Sequence, residues 1–438
     1  MARFVALVLA LAQAAAALAL PLDARSSSPK LVFAHHIVGN TFTYTQDTWT
    51  NDILLAASKG IDAFALNIGP DSWELGQVSS AFAAAESLSA NTTFKLFISF
   101  DMSVFPCSQA SHASTIQQYI QQFAGHPNQL QVSGRPFVST FSGESCTFGT
   151  GSVNQGWTNV VRTSGLNAYF VPSFFVDPAT FGSYPVADGV FGWNSGWPTG
   201  NFNITFDPDQ SYIANLGGRA YMAAASAWFF THYSPQTFDK NFIYRGDDWL
   251  LAQRWEALIA HRDAVDFVEV NTWNDYGESH YVGPIEGVQP ASQAWVDGFD
   301  HTAWLDLIAH YITAFKTGAP APITRDRTFL WARLAPANAN APADTVGRPA
   351  NWQWTSDALW AIIQLTSPAT VTLTCGPSAL TAPLPAGTSK LRLALVAECD
   401  VASSVTRGGQ SVAFKPEGMH FSTAPAAYNF NAFVVASP

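Results

Sequence analysis

Two carboxylic acids, three residues apart, are the part of this sequence best suited to carry out a reaction. Asp275 and Glu278 stand near the end of the stretch DFVEVNTWNDYGESHY, residues 266–281, which begins with strand-forming residues and then turns polar, as a strand does when it leaves a sheet. Glycoside hydrolysis needs such a pair, because one acid protonates the leaving oxygen while the other acts as base or nucleophile. The residue types alone leave open the alternative that one acid caps the next segment or pairs with His280.

The neighbours of the two acids favour a partly dry cleft. Desolvation raises the pKa of the acid that must keep its proton, and aromatic side chains exclude water. We therefore predict that the aromatic and amide residues beside the acids line the cleft: Trp273, Asn274, Tyr276 and Tyr281. The alternative for each aromatic residue is packing in the core.

Eight short apolar runs alternate with helical patterns before Gly318, which is typical of a (β/α)8 barrel. The runs cover residues 31–38, 61–68, 94–102, 136–141, 168–176, 189–193, 220–230 and 267–272. Helices are predicted near residues 47–58, 74–90, 112–124, 153–164, 178–182, 207–216, 247–263 and 292–316. In a barrel, the active site lies at the carboxyl ends of the strands.

Alternation along the predicted strands assigns further residues to this end of the barrel. Asn67 and Asp101 point inward at the rim if the large residues of their strands face the helices. On the first strand, we predict His36 to be inward and the adjacent His35 to be a core or rim residue. The remaining candidates for substrate binding follow other strands: Glu144, Asp177, Trp193, Asn194 and Trp228. Each acid has a structural hydrogen-bonding role as its alternative.

The predicted barrel spans residues 30–318. After it, the sequence no longer alternates between apolar runs and helical patterns. Residues 319–328 form a Pro/Ala-rich linker, and residues 329–438 contain short β-prone segments separated by Gly, Pro and Ser. We predict a β-sandwich domain in this part of the chain. Because it contains no obvious binding motif, we expect the domain to pack against the barrel rather than to bind a ligand.

The first residues have the features of a secretion signal. Arg3 precedes an apolar run that ends in a small-x-small site at residues 17–19, so residues 1–19 are predicted to be a signal peptide. Residues 20–29 are then a lead-in or short pro-segment. A membrane anchor is the alternative, but the run is marginal for crossing a bilayer.

Secretion agrees with the cysteines, which are even in number and fall in two local pairs. This arrangement predicts the disulfides Cys107–Cys146 and Cys375–Cys399. Two Asn-x-Thr sequences are glycosylation acceptors in a eukaryotic host, at Asn91 and Asn203. We expect a secreted, extracellular protein.

Charge and motif content exclude several classes of protein. The net charge of -11 and the pI near 5.3 leave no basic face for a nucleic acid. No Cys/His spacing suggests zinc, and the adjacent His35 and His36 point to opposite faces of a strand, so no metal is expected. No Gly-x-Ser-x-Gly elbow and no phosphate-binding glycine motif occur, so neither a serine hydrolase nor a cofactor is expected. No later segment has the length of a membrane span, and we expect a monomer.

Three stretches of the chain resemble the fungal α-1,3-glucanases, or mutanases, of glycoside hydrolase family 71. They are KLVFAHHIVGNTFTYTQDTWTNDILLAASKGIDAFALNIG, FKLFISFDMS and EVNTWNDYGESHY, and the resemblance runs from about residue 30 to about residue 430. It implies a (β/α)8 barrel with a C-terminal β-sandwich. It also implies hydrolysis, with inversion, of α-1,3-glucosidic bonds in fungal cell-wall glucan or bacterial mutan.

The resemblance assigns catalysis to the Asp and Glu of the WNDYGES motif, which are Asp275 and Glu278 here. Because Asp275 is predicted nearer the barrel centre and next to more polar residues, we expect it to ionise more easily. This predicts Glu278 as general acid and Asp275 as general base of an endo-acting enzyme. Two alternatives remain: a catalytically silent glucan-binding protein on the same scaffold, and a barrel glycosidase with another linkage preference.

Overall fold

The computed structural model describes residues 29–163 and 165–438. The predicted signal peptide, residues 1–19, and all but the last residue of the predicted lead-in lie outside the described residues. The described chain has a mixed α/β fold with a curled sheet in its first part and further β-strands in its C-terminal part.

Eight of the nine strands of the curled sheet are parallel, and the ninth, Gln131–Val132, is a two-residue strand that pairs antiparallel with Arg135–Phe141. The eight parallel strands are β1 (Leu31–Ile37), β2 (Ala63–Ile68), β3 (Lys95–Asp101), β4 (Arg135–Phe141), β5 (Tyr169–Ser173), β6 (Gly189–Gly192), β7 (Ala220–Ser226) and β8 (Phe267–Asn271). Their order across the sheet is β5-β4-β3-β2-β1-β8-β7-β6, and each falls within or close to one of the eight apolar runs. The N–H group of Asp188, just before β6, donates to the carbonyl oxygen of Phe170 on β5 (2.8 Å) and so connects the two ends of the order.

Helices follow most of these strands and cover the outer face of the sheet. They are α1 (Gln46–Ser58), α2 (Glu74–Ser87), α3 (Ala110–Ala124), α4 (Val153–Val161), α5 (Asp207–Asn215), α6 (Leu250–Ala260), α7 (Gln293–Val296) and α8 (Thr302–Thr317). The helix expected near residues 178–182 is a short 3-10 helix, Pro178–Ser183. The single helix expected over residues 292–316 is divided into α7 and α8.

Both faces of the sheet are buried. In β2, large and small residues alternate between the two faces, as the sequence predicts. Phe64, Leu66 and Ile68 belong to the main core between the sheet and its helices, whereas Ala63 and Ala65 belong to a separate interior cluster. A strand that is buried on both faces shows a continuous apolar run rather than a polar alternation. This explains the all-apolar start of most of the predicted strands.

An aromatic plug fills the end of the sheet's interior where the strands begin. Phe33 contacts Phe97 and Phe137 with ring centroids 5.0 and 5.6 Å apart, and Phe267 completes the cluster. Edge-to-face packing of this kind stabilises closely packed aromatic cores. The polar side chains that point inward therefore lie nearer the carboxyl ends of the strands.

Two antiparallel sheets make up most of the C-terminal part. Their strands are β9 (Arg327–Ala332), β10 (Ala358–Leu365), β11 (Ala369–Cys375), β12 (Ser378–Leu384), β13 (Gly387–Ala394), β14 (Cys399–Arg407), β15 (Gln410–Phe414) and β16 (Phe433–Ala436). One sheet has the order β13-β10-β9-β16 and the other the order β12-β11-β14-β15.

Strand β10 joins the two parts of the molecule because it is buried over its whole length. Leu359 and Ile363 pack into the core between the two C-terminal sheets. Trp360 and Ile362 point the other way and belong to the same core as the helices around the curled sheet. The C-terminal strands therefore pack against the first part of the chain, as the sequence predicts.

Both predicted disulfides are present. Cys107 is bonded to Cys146 and Cys375 to Cys399, with Cα atoms 5.1 and 5.2 Å apart. The two asparagines of the acceptor sequences are exposed, while their glycosylation stays a prediction. Within residues 29–163 and 165–438, no helix is long and apolar enough to cross a membrane.

A buried ion pair holds the helices against β7. Arg254 of α6 and Asp209 of α5 are both fully buried, and the guanidinium donates to the carboxylate at 2.6 and 2.7 Å. The same guanidinium donates to Ser195 Oγ (2.9 Å) and to the carbonyl oxygen of Ala224 on β7 (2.7 Å). The charge of Arg254 is therefore balanced only while Asp209 is in place.

We expect the change Asp209→Ala to lower the free energy of unfolding by about 3–5 kcal/mol, because it leaves Arg254 buried without its counter-charge. Urea denaturation followed by tryptophan fluorescence measures this loss. The matched control is Asp263→Ala: that carboxylate is 96% exposed and pairs with Arg262 at 3.5 Å, so no measurable change is expected. Equal stability of the two variants would contradict the importance of the buried pair.

Candidate active site

A loop that folds back on itself carries the two acids. Beyond the end of β8, the N–H group of Trp273 donates to the carbonyl oxygen of His35 on β1 (2.7 Å). Thr272 then pairs with the returning chain: its N–H donates to the carbonyl oxygen of His280 and its own carbonyl accepts from Val282, both at 2.9 Å. Backbone bonds on both sides thus fix residues 273–279 in space.

Asp275 and Glu278 are coupled within this loop. The N–H group of Glu278 donates to Asp275 Oδ1 (3.2 Å), and the N–H group of Asp275 donates to Thr272 Oγ1 (2.8 Å). About a quarter of each acid's side chain is exposed. The two carboxyl groups therefore share one small, mostly buried space.

Two nitrogen donors favour Glu278 over Asp275. His280 Nε2 lies 3.1 Å from Glu278 Oε2 but 3.8 Å from the nearest oxygen of Asp275. Lys240 Nζ donates to Glu278 Oε1 at 3.4 Å. The imidazole of His280 is fully buried and packs against Trp197 and Phe229, which holds it in this position.

The pKa values of the two acids are displaced in opposite directions. Burial and the negative charge of Glu278 raise the pKa of Asp275 to about 6. Burial also acts to raise the pKa of Glu278, but the hydrogen bond and charge of His280, together with Lys240, outweigh it and bring that pKa below its ordinary value. This order is the reverse of the expectation that Asp275 ionises more easily, because the donors contact Glu278.

The acids open into a cleft of about 340 Å³ at the carboxyl ends of the strands. Its lining combines polar groups and aromatic rings: His35, Ile37, Asn40, Asn67, Asp101, Ser103, Phe141, Trp193, Tyr233, Phe238, Lys240, Asp275, Gly277, Glu278 and Pro290. Of the residues predicted for substrate binding, Asn67, Asp101 and Trp193 line this cleft.

The prediction that His36 points inward is wrong. His36 is fully buried on the helix side of β1, where it lies 3.2 Å from Asp52 and packs between Tyr44, Trp49 and Phe64. His35 has the inward position instead, lines the cleft and bonds Glu269 at 2.7 Å. In the sheet register His35 lies beside Ala65, a small residue of β2 that faces the interior, which accounts for its inward position.

Four aromatic residues predicted for the cleft are core residues instead. Trp273, Tyr276 and Tyr281 are fully buried, and Trp228 is nearly so. Trp273 packs on Phe64, and the hydroxyl groups of the two tyrosines donate to backbone carbonyl groups. The loop folds back over these rings, so that their faces point away from the cleft while the two acids point into it.

Asn274 is a structural link rather than a cleft residue. Its side chain accepts from the N–H group of Ile37 (2.7 Å) and donates to the carbonyl oxygen of the same residue (3.0 Å). Asn40 in turn donates to the carbonyl oxygen of Asn274 (2.9 Å). These bonds attach the loop of the acids to the end of β1.

Three other predicted residues lie outside the cleft lining. Glu144 accepts from Ser142 and from the N–H group of Phe175, and Asp177 caps the 3-10 helix that follows it. Asn194 is exposed beside Trp193. Both acids thus have the structural role that the sequence left open for them.

Several cleft residues are not predicted by the sequence. Lys240 comes from the hairpin formed by strands Phe230–His232 and Asn241–Ile243, and nothing in its local sequence indicates the contact with Glu278. Gly277 is needed because a Cβ atom there would lie 2.0 Å from the hydroxyl oxygen of Tyr233. Close packing of that tyrosine thus excludes any side chain between the two acids.

The acids and His280 also form a group with the donor atoms of a metal site. One oxygen of Asp275, one of Glu278 and a nitrogen of His280 all lie within 4.8 Å of one another. The His280 nitrogen nearest the acids is the one that bonds Glu278, so metal binding would have to replace that hydrogen bond. The hydrogen bond to Glu278 accounts for His280 Nε2, whereas the buried His280 Nδ1 has no hydrogen-bond partner among the described residues.

We expect Asn274→Ala to destabilise the protein by about 1–3 kcal/mol, because it removes the side chain that bonds both backbone groups of the partly buried Ile37. Asn194→Ala is the matched control, since Asn194 is exposed, and its unfolding free energy is expected to stay at the wild-type value. Denaturant unfolding of both variants provides the measurement. A stable Asn274→Ala protein would show that the loop is held by its remaining bonds alone.

The chain is similar to known proteins over most of its length. The family model for glycosyl hydrolase family 71 matches residues 28–438. The chain is 39% identical to a glucan endo-1,3-alpha-glucosidase of Schizosaccharomyces pombe over 93% of this chain and 95% of that protein. It is 34% identical to a mutanase of Penicillium rubens, over 93% of this chain and 89% of the relative. An ascus wall endo-1,3-alpha-glucanase of Schizosaccharomyces pombe is 36% identical over 76% of this chain and 78% of its own length.

The fold also resembles a solved glycosidase. A GH99 endo-alpha-mannosidase from Bacteroides thetaiotaomicron, in complex with bis-tris-propane, superposes with a TM-score of 0.50 at 12% identity. The match covers 66% of this chain and 97% of that chain. Similarity at this level of identity concerns the fold alone. The family model and the extended matches to its relatives show that this chain belongs to glycosyl hydrolase family 71.

Proposed function

We propose that this protein hydrolyses α-1,3-glucosidic bonds of α-1,3-glucan, with Asp275 and Glu278 as the catalytic pair. The observation that carries the proposal is that both acids open into one cleft, while the hydrogen bonds from Lys240 and His280 go to Glu278 alone. The substrate is inferred from the relatives, which are named as α-1,3-glucanases and a mutanase. Cleavage at internal bonds is inferred from the same names.

The difference between the two acids supports a division of roles. Asp275 has the raised pKa, so it is the group that carries a proton to the leaving glycosidic oxygen. Glu278 stays ionised beside Lys240 and His280, so it is the base that takes a proton from the attacking water. This assignment reverses the one expected from the sequence, because the hydrogen-bond donors contact the other acid.

Inversion, which the family resemblance implies, places a further demand on this pair. Inverting enzymes hold their carboxyl groups roughly 6.5–9.5 Å apart, with the attacking water in between. An oxygen of Asp275 and an oxygen of Glu278 lie within 4.8 Å of each other. These oxygens are closer than the inverting range, so inversion by this pair requires the two carboxyl groups to move apart when glucan and water enter.

The curled sheet and the C-terminal sheets support a finer description of the architecture. We propose that residues 30–318 form a (β/α)8 barrel, which eight parallel strands in consecutive order support. Residues 329–438, after a linker at residues 319–328, are proposed as a β-sandwich with the core of β9–β16 between its two sheets. In this description the cleft occupies the usual position of a barrel active site.

Secretion is part of the proposal. The sequence of residues 1–19 has the features of a signal peptide, two disulfides are present, and one relative is named as an ascus wall enzyme. We propose a monomer that acts on glucan outside the cell or in the cell wall.

We expect Asp275→Asn and Glu278→Gln each to lose more than about 100-fold in kcat on insoluble α-1,3-glucan, because each removes one of the two proton transfers. Reducing-sugar release measures the rate, and NMR of the first product identifies its anomer. The β-anomer is expected from the wild type. Release of the α-anomer would instead show retention, with one of the two acids acting as a nucleophile. If the wild type released no sugar, only a glucan-binding role would remain.

We expect the pH profile of kcat/KM to have its alkaline limb at about pH 6, where Asp275 loses the proton that it must donate. Activity also falls at low pH, once Glu278 is protonated, and this acid limb lies below the ordinary pKa of a glutamate. Lys240→Met removes a charge that lowers the Glu278 pKa, so its acid limb is expected to move to higher pH. An alkaline limb above pH 8 in the wild type would rule out Asp275 as the donor.

A further inference from the structure

A row of aromatic rings leads from the floor of the cleft to the protein surface. Trp193 contacts His35 with ring centroids 4.9 Å apart, and Phe141 contacts Trp193 at the same distance. Phe175, just after β5, contacts Phe141 at 5.1 Å and is 36% exposed. We call Trp193, Phe141 and Phe175 the aromatic track.

The track has polar side chains beside it. Asp101, at the end of β3, lies next to Phe141 in the sheet register and lines the cleft with it. Asp101 Oδ1 accepts from the N–H and the hydroxyl of Ser103, at 3.0 and 2.5 Å. Among residues 29–163 and 165–438, no hydrogen bond to its other oxygen, Oδ2, is present, so that oxygen is available to a ligand in the cleft.

The outer end of the track is held by a constrained loop. Glu144 accepts from the N–H group of Phe175 (3.3 Å) and from Ser142 Oγ. The disulfide Cys107–Cys146 ties this loop to the one after β3. A Cβ atom at Gly143, where φ is +111°, would lie 2.9 Å from the ring of Trp157, so the loop is closely packed underneath. Phe175 is therefore presented at the surface in a fixed position.

Single exposed apolar side chains are common on protein surfaces and need no function. Phe175 differs because its ring continues a series of rings that starts beside the catalytic acids. Aromatic faces next to a carboxylate suit a pyranose, since the ring stacks on the sugar's C–H groups while the carboxylate accepts from its hydroxyl groups. An uncharged polysaccharide also agrees with a cleft whose charges are mostly acidic.

We propose that Phe141 and Phe175, together with Asp101, form a binding subsite that runs outward from the cleft of the two acids and holds glucose units beyond those at the bond that is cleaved. The track begins at Trp193, inside the cleft, and runs outward on the side of β4 and β5, so it receives an internal stretch of a glucan chain. This inference rests on the proposed function and deepens it, because it gives a physical basis for preferring long chains over short ones. Phe175, as the exposed end of the track, sets the length at which a chain gains extra affinity.

The test compares kcat/KM of wild type and Phe175→Leu on reduced α-1,3-oligosaccharides of increasing length. Wild type is expected to gain in kcat/KM when the chain becomes long enough to reach Phe175. Phe175→Leu keeps the size and apolar character but removes the ring, so it is expected to lose about 3- to 10-fold on long chains and nothing on short ones. Phe175→Trp is expected to retain the gain.

Val396→Ala is the control, because Val396 is 67% exposed, lies in the loop between β13 and β14, and is distant in sequence from the cleft. It should leave both short- and long-chain kinetics unchanged. Thermal unfolding of every variant excludes a loss of folded protein. Identical length dependence in wild type and Phe175→Leu overturns the subsite while leaving the proposed function intact. Wild type that releases no sugar from any α-1,3-glucan overturns the proposed function itself, which separates the two failures.

Discussion

The contact between the end of β1 and the loop after β8 is the constraint on which the site depends. Strands β1 and β8 are neighbours in the sheet, but the loop leaves the sheet and has no further strand to pair with. The side chain of Asn274 takes the place of a neighbouring strand at this point, because it bonds both the N–H group and the carbonyl oxygen of Ile37. With Trp273 bonded to His35 as well, residues 273–279 are placed by the first strand of the chain although they lie more than 200 positions later in it.

Once the loop is fixed, the difference between the acids follows from what surrounds them. Both carboxyl groups are mostly buried, which disfavours two negative charges in one small space. His280 and Lys240 offset this cost for Glu278 more than for Asp275. Burial supplies the tendency to hold a proton, and the two nitrogen donors decide which acid holds it. The loop alone, with two similar side chains, contains no such preference.

The sequence predicts the elements of this protein better than it predicts the orientation of side chains. Apolar runs locate the eight strands, and local pairing of cysteines gives both disulfides, because these depend on composition and short-range spacing. The two candidate acids, Asp275 and Glu278, also follow from one stretch of sequence. His35 and His36 could not be told apart in this way, since two adjacent and identical residues carry no alternation of their own.

Long-range contacts explain the remaining differences. Tyr276 and Tyr281 stand beside the acids in the sequence, but the loop turns back and buries their rings. Lys240 reaches the site from a hairpin that is 38 residues before Glu278. The reversed order of ionisation depends first on His280 and then on that lysine, and the sequence does not show that both contact Glu278.

Strand β10 limits how the molecule can be divided into parts that fold separately. Its side chains fill two cores at once, one between the C-terminal sheets and one shared with the helices around the curled sheet. A boundary drawn through the linker at residues 319–328 separates two regions of sequence, but it does not separate two cores. Removing the C-terminal part would expose the apolar surface that Trp331, Trp360 and Phe430 now cover. The C-terminal strands therefore differ from a module that folds by itself, because part of the core around the curled sheet is complete only while they are in place.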